Sequence, residues 1–320
     1  MKRTITLLLA VLLVLTMVGC SGSSTTPTDK PVDATETQQG ANTDSSDTDK
    51  PVENETAEPT QTESVPTEAP VVFEEVTVVD NDYCTVKVTG IEEDNILGYT
   101  LKVYLENKSS DKTYMFSVTD GAVNGVEWDP FFATEVAAGK KKNDEISFSD
   151  RDKEAILSEF TDIELKFRVY DSNDWSADDV ANETVHIYPL GEDKATVYVR
   201  ESQPTDTVIV DNDQISIIVT GYDADGLWGY TAKMYLVNKT DKELMFSSDD
   251  VSVNGFMCDP FWAVSVASGK VAFSDMSWSK SSLEENGITE VEEIEMVIRV
   301  YDSNNWSADD IFNETVTLNP

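Results

Sequence analysis

The sequence predicts an all-β protein: two tandem antiparallel β-sandwiches, each interrupted by one short helix, behind a secretory leader and a disordered tether. Three observations carry this reading. The segment from Arg168 to Asp179 returns as Arg299 to Asp310, with the single change of Asp174 to Asn305. Self-similarity of this kind sets the architecture before any element is assigned, and here it means two copies of one module. Long stretches alternate apolar and polar residues with period two, the signature of half-buried strands. Residues 21–72 contain no aromatic residue and no Leu, Ile or Met, so they lack the side chains from which a core is built.

Residues 1–20 read as a secretory signal. Lys2 and Arg3 precede an apolar run from Ile5 to Val18, which has the length of a signal core. It is shorter than the ~20 residues of a membrane span. The run ends in Met17-Val18-Gly19-Cys20, which resembles a bacterial lipobox with Met17 where that motif usually has Leu. The resemblance implies cleavage before Cys20, lipidation of its thiol and display on the outer face of the cell membrane. Residues 21–72 are rich in Ser, Thr, Pro and acids. They bury too little apolar surface to offset ordering entropy. As a tether they reach roughly 40 Å.

The modules occupy 73–200 and 201–320, each long enough for its own core. Leu97, Tyr99, Leu101, Val103 and Leu105 alternate with polar residues; Trp228, Tyr230, Ala232, Met234 and Leu236 repeat the pattern on an inner face. Ile163, Leu165, Phe167 and Val169 match Ile294, Met296, Ile298 and Val300. Cys84, Val86 and Val88 match Ile215, Ile217 and Val219, and Val185 and Ile187 match Val316 and Leu318. Turn residues such as Asp80-Asn81-Asp82 and Asn124-Gly125 separate these segments. Seven or eight short strands at that spacing predict a β-sandwich. The short helix falls near 150–159 in the first copy and 281–286 in the second. The segment 195–199 alternates like a strand but has no counterpart in the second copy; it closes the first sandwich or links it to the next.

The strand-closing Asn107-Lys108 and Asn238-Lys239, with the later Val136-Ala137-Ala138-Gly139-Lys140 and Val266-Ala267-Ser268-Gly269-Lys270, give the modules a family likeness. They resemble the immunoglobulin-like sandwiches of Gram-positive surface lipoproteins. That likeness implies a fold and a location and transfers no site residue.

The formal charge is −38, from 61 acidic and 23 basic residues. Such a surface repels nucleic acid and anionic headgroups, and it favours basic partners or divalent cations. Cys84 and Cys258 stand where the other copy has Ile215 and Trp128, so both read as buried free thiols filling apolar sites.

The repeated loop is the first candidate site. Asp171, Asn173, Asp174, Asp178 and Asp179, with Asp302, Asn304, Asn305, Asp309 and Asp310, offer oxygens to calcium. The spacing departs from a calcium loop: the sixth position from Asp171 is Ser176, not Gly, and the twelfth is Asn182, not Glu. A structural reading also accounts for the Trp and Ser. Ser176 is an N-cap with Asp179 reaching back to it, and Trp175 and Val180 form a staple; Ser307, Asp310, Trp306 and Ile311 repeat the roles. Asp171 and Asn173 make Asx turns. The second candidate is a binding face of Trp128, Phe131, Phe132, Phe261, Trp262, Trp175 and Trp306, against which stands core filling behind the Asp129-Pro130 and Asp259-Pro260 turns.

Catalysis has little to build on. His186 is the only histidine and Thr317 replaces it in the second copy, which excludes a His-based triad or zinc site common to both copies. No phosphate loop or dinucleotide fingerprint is present. The reading is therefore a lipid-anchored, non-enzymatic binding or adhesion module for a protein or glycan, without a cofactor. A calcium-responsive structural spacer is the alternative, and a carboxylate-based surface hydrolase a third.

Overall fold

Period-two alternation becomes strands in both repeats. The computed structural model describes residues 73–320 apart from Asp94, Arg151, Asp152, Glu154, Ala155 and Trp306. The expected leader with Cys20, the expected tether over 21–72 and the Trp306 position lie outside the described residues. Among the described residues no helix is long and apolar enough to cross a membrane.

The protein is all-β. The first repeat contributes β1 (Val76–Asp80), β2 (Cys84–Glu92), β3 (Tyr99–Asn107), β4 (Tyr114–Val123), β5 (Val126–Glu127), β6 (Ala133–Val136), β7 (Lys141–Phe148), β8 (Ile163–Asp171) and β9 (Ala181–Ile187). The second repeats the series as β10 (Thr207–Asp211), β11 (Ile215–Gly226), β12 (Gly229–Asn238), β13 (Leu244–Val253), β14 (Phe256–Met257), β15 (Ala263–Val266), β16 (Val271–Ser279), β17 (Ile294–Asp302) and β18 (Phe312–Leu318). In both, one sheet takes the first three strands and the seventh, β1-β2-β3-β7 and β10-β11-β12-β16. The other takes β5-β4-β8-β9 and β14-β13-β17-β18, with β6 and β15 beside β4 and β13.

Each repeat has its own apolar cluster drawn from both of its sheets. Val86, Leu101, Ile146, Phe116, Leu165 and Phe167 belong to the first; Ile217, Met234, Met276, Phe246, Met296 and Ile298 hold the same places in the second. Volume is conserved between copies. Trp128 packs edge-on against Phe148, with ring centroids 5.5 Å apart. In the second repeat Cys258 is small and Trp278 is large, and the Trp278 indole donates to the Cys258 carbonyl at 2.9 Å. Opposite Trp128 stands Gly121, where a Cβ would come within 2.7 Å of the Trp128 carbonyl oxygen. The counterpart facing Cys258 is Val251.

The alternation pattern overreaches at one point. Leu97 and Trp228, expected on inner faces, are exposed in turns that precede β3 and β12. Gly229, at φ 130°, lies so close to the Trp278 carbonyl oxygen that no side chain fits. The pairing with β16 begins only there, which leaves Trp228 outside the sheet.

The helix of the second repeat, α1 (Lys280–Glu285), starts one residue earlier than expected because Ser279 caps it, its hydroxyl accepting from the Ser282 N–H. In the first repeat Lys153 and Ile156 are helical, and the Leu157 N–H donates to the Lys153 carbonyl at 2.9 Å.

Residues 195–199 form no strand. They run extended along the first repeat, with the Thr196 N–H on Thr161 Oγ1 at 3.0 Å and the Tyr198 N–H on the Asn124 carbonyl at 2.7 Å. Tyr198 then packs against Phe273 of the second repeat. The segment is a linker held by both sides.

The two repeats also share a sheet. Val271 of β16 pairs in parallel with Val126 of β5, and its N–H donates to the Gly125 carbonyl at 3.0 Å. The short β5 hairpin thereby joins one sheet from each repeat into a nine-stranded, mixed sheet.

Candidate functional site

The Asp-Pro-aromatic-aromatic segments precede β6 and β15 and are held by different hydrogen bonds: in the second repeat the Phe261 N–H donates to the Ser277 carbonyl at 2.8 Å, and the first repeat uses another pair. Asp129 accepts the Gly121 N–H at 2.7 Å, and the Phe132 carbonyl accepts the Val118 N–H at 3.0 Å. Successive side chains of an extended segment point to opposite faces. Phe132 and Trp262 therefore turn inward and are buried, whereas Phe131 and Phe261 turn outward and are 96 % and 92 % exposed. Phe131 borders an open recess of about 610 Å³ that also takes in Asp129, Ser147 and Lys153.

Burial removes Trp128, Phe132 and Trp262 from the candidate binding face, because they fill the core. Phe131, Phe261 and Trp175, 79 % exposed, remain outside. The two hairpin tips add apolar side chains that the sequence pattern had assigned inward or passed over: Ile96 and Leu97, and Leu227 and Trp228.

The repeated Asp-Ser-Asn loop contains no helix, which corrects the N-cap and staple reading. Asp179 does not reach back to Ser176. Instead Arg168, three residues before the loop's first Asp171, takes it through Nε at 2.8 and 3.0 Å. Arg299 takes Asp310 in the same way, and each guanidinium lies over the tyrosine two residues on, Tyr170 or Tyr301. A charged guanidinium outcompetes a neutral backbone N–H for the carboxylate. Ser176 donates instead to Asp174 Oδ1 at 2.7 Å, and Ser307 to Asn305 Oδ1 at 3.0 Å. Asparagine keeps the acceptor, which explains why this position tolerates loss of its charge. The Asx turns form at Asp171 and Asp302, which accept from Asn173 and Asn304, both at 3.0 Å.

Among the ten calcium candidates, Asp171 and Asp302 face Lys112 and Lys242, while Asp179 and Asp310 face the arginines. Asn173, Asp174, Asp178, Asn304, Asn305 and Asp309 are exposed. The carboxylates gathered most closely among the described residues are others: Asp120, Glu127 and Asp129 bring one oxygen each within 4.8 Å of one another. They stand beside the join between the repeats, where Glu127 accepts the Ala267 N–H at 2.6 Å. Burial, then Asp120 and Asp129, pushes the Glu127 carboxyl up to about 8, and burial also raises Asp120 and Asp129. Chemically the group can hold and release a proton near neutral pH. Lys270 pairs with Glu164 across the same join.

This seam escaped the sequence reading because Glu127 is Met257 in the second copy. A repeat comparison looks for what both copies share, whereas a contact between copies uses a different face of each.

His186 lies on the exposed side of β9, with Nδ1 2.8 Å from Asp162 and Nε2 3.6 Å from Glu164. Cys84 and Cys258 are both buried and unbridged, as expected.

No protein-family model matches the chain, and no curated protein matches it. Two solved structures are similar at 11 % identity. The YadV chaperone covers 68 % of this chain and 92 % of its own, with a TM-score of 0.22. A protein of unknown function from Porphyromonas gingivalis W83 covers 69 % and 91 %, with a TM-score of 0.20. Superpositions this loose carry no argument about function.

Proposed function

We propose that the chain is a cell-surface binding module without enzymatic activity. Lipidated Cys20 holds it on the outer face of the membrane, the 21–72 tether lifts it away, and two immunoglobulin-like sandwich domains, 73–200 and 201–320, present their surfaces to a protein or glycan. The observation that carries this reading is the matched exposure of Phe131 and Phe261. An exposed aromatic at one place is ordinary. The same ring held outward in both repeats, after an Asp-Pro pair and in front of a buried aromatic, is a contact presented twice. Two linked contacts gain avidity on a multivalent ligand, and a surface with net charge −38 selects basic or neutral ligands over anionic ones.

The test is binding of the full chain to arrays of glycans and of basic peptides, beside Phe131→Ala/Phe261→Ala. Both side chains lie outside the cores, so the variant folds. Saturable binding that the double variant loses supports the reading; its persistence in the variant overturns the assignment of the two rings.

A further inference from the structure

The contact between the repeats is heterologous: β5 of the first repeat meets the β16 edge of the second. Each repeat therefore carries both halves of the contact, and one half on each is left over. At one end, β14 (Phe256 and Met257, both exposed) corresponds to β5. At the other, β7 corresponds to β16, is a sheet edge and is entered through the exposed Lys140-Lys141-Lys142, of which Lys141 is its first residue. We propose that β14 of one copy of this chain docks on the β7 edge of another and repeats between chains the contact made within one.

Two observations select a second copy as the occupant. The first is the ion pair at the existing join, Lys270 with Glu164. Their counterparts, read through the matching strand registers, are Lys140 and Glu295. Both are exposed, and neither side chain has an ion pair or hydrogen bond among the described residues. The frame around them is conserved: the Lys140 carbonyl accepts the Asn107 N–H at 2.9 Å and the Lys270 carbonyl accepts the Asn238 N–H at 3.0 Å. The second observation is charge. Three consecutive lysines are conspicuous in a chain with 23 basic residues against 61 acidic. Beside β14, Glu290, Glu292, Glu293 and Glu295 are all exposed. Lysines on an edge discourage indiscriminate pairing; a strand flanked by acids, as β14 is by these four glutamates, is the partner they admit. The Lys141 N–H, equivalent to the Val271 N–H, then donates to the Gly255 carbonyl of the next chain.

A heterologous contact that does not close on itself propagates, so the product is an open head-to-tail chain of molecules. The contact lacks the covalent linker and Tyr198, so it is weaker than the join within one molecule. High salt screens it.

The test uses the full chain in detergent, a zero-length carbodiimide cross-linker that joins lysine to carboxylate, and a mixture of nitrogen-14 and nitrogen-15 protein. The expected result is a ladder of interchain products with a mixed-isotope Lys140–Glu295 linkage, fading as salt rises. Lys140→Glu and Glu295→Lys each reduce the ladder by about fivefold or more, and mixing the two variants restores it, since every contact between unlike molecules then joins opposite charges. Wild-type protein without interchain products, a ladder indifferent to either reversal, or no restoration on mixing overturns the proposal.

Discussion

Glu127 Oε1 accepts the Ala267 N–H at 2.6 Å, and this hydrogen bond ties a buried carboxyl of the first repeat to the backbone of the second. The carboxyl stands at about 8 in the folded protein, against 4.5 for the free group. Between those values the unfolded chain has released a proton that the folded chain still holds. Stability therefore falls as pH rises through this window and levels off above 8. Glu127→Gln keeps an acceptor for Ala267 and removes the titration. The difference between the two proteins should be small at pH 4.5 and grow to about 2–4 kcal/mol in favour of Gln by pH 8.5. Urea unfolding of both across this range measures it, and parallel curves contradict the assignment.

Asn107 and Asn238 hold the turns that close β3 and β12. Asn107 Nδ2 donates to the Lys112 and Val136 carbonyls, both at 2.8 Å, and its Oδ1 accepts the Ser109 N–H at 2.9 Å. Asn238 repeats the set with Lys242, Val266 and Thr240. Both side chains are buried, so alanine leaves backbone groups without partners. Asn107→Ala or Asn238→Ala should lower stability by about 2–4 kcal/mol. Urea denaturation decides it; a loss below ~0.5 kcal/mol, as at a surface site, speaks against the role.

The thiols give an independent check on packing. Cys84 is fully buried, and burial pushes its thiol up to about 11. Cys258 is buried beside Ser282, with Sγ 3.2 Å from its hydroxyl. In native protein at pH 8 neither should react with an aromatic disulfide reagent on a timescale of minutes, and both should react at once in denaturant. Fast labelling of either in the native state places it outside the core.

The strand plan was legible because half-buried strands write their faces directly into the sequence. Ile163 to Val169 and Ile294 to Val300 read inward in sequence and lie inward in the fold. The same rule failed at Leu97 and Trp228, because alternation carries no mark for where pairing begins; Gly229, pressed against the Trp278 carbonyl, sets that limit. The candidate face was half legible. Pro130 and Pro260 announced the turn, but which aromatic turns inward depends on strand phase beyond the turn. The capping reading went astray for another reason: Arg168 reads as an ordinary outward strand residue, and only the folded register shows that it meets Asp179 eleven positions later. The seam was hidden because its residues differ between copies.

The central claim is that Phe131 and Phe261 present one ligand contact twice. Its most direct measurement is equilibrium binding of the full chain, wild type and variant, to the strongest ligand found on glycan and basic-peptide arrays, displayed densely on a surface. The account predicts that Phe131→Ala and Phe261→Ala each weaken binding by about 10²-fold, to a shared single-contact value, and that the double variant loses it. Equal binding by wild type and double variant contradicts it.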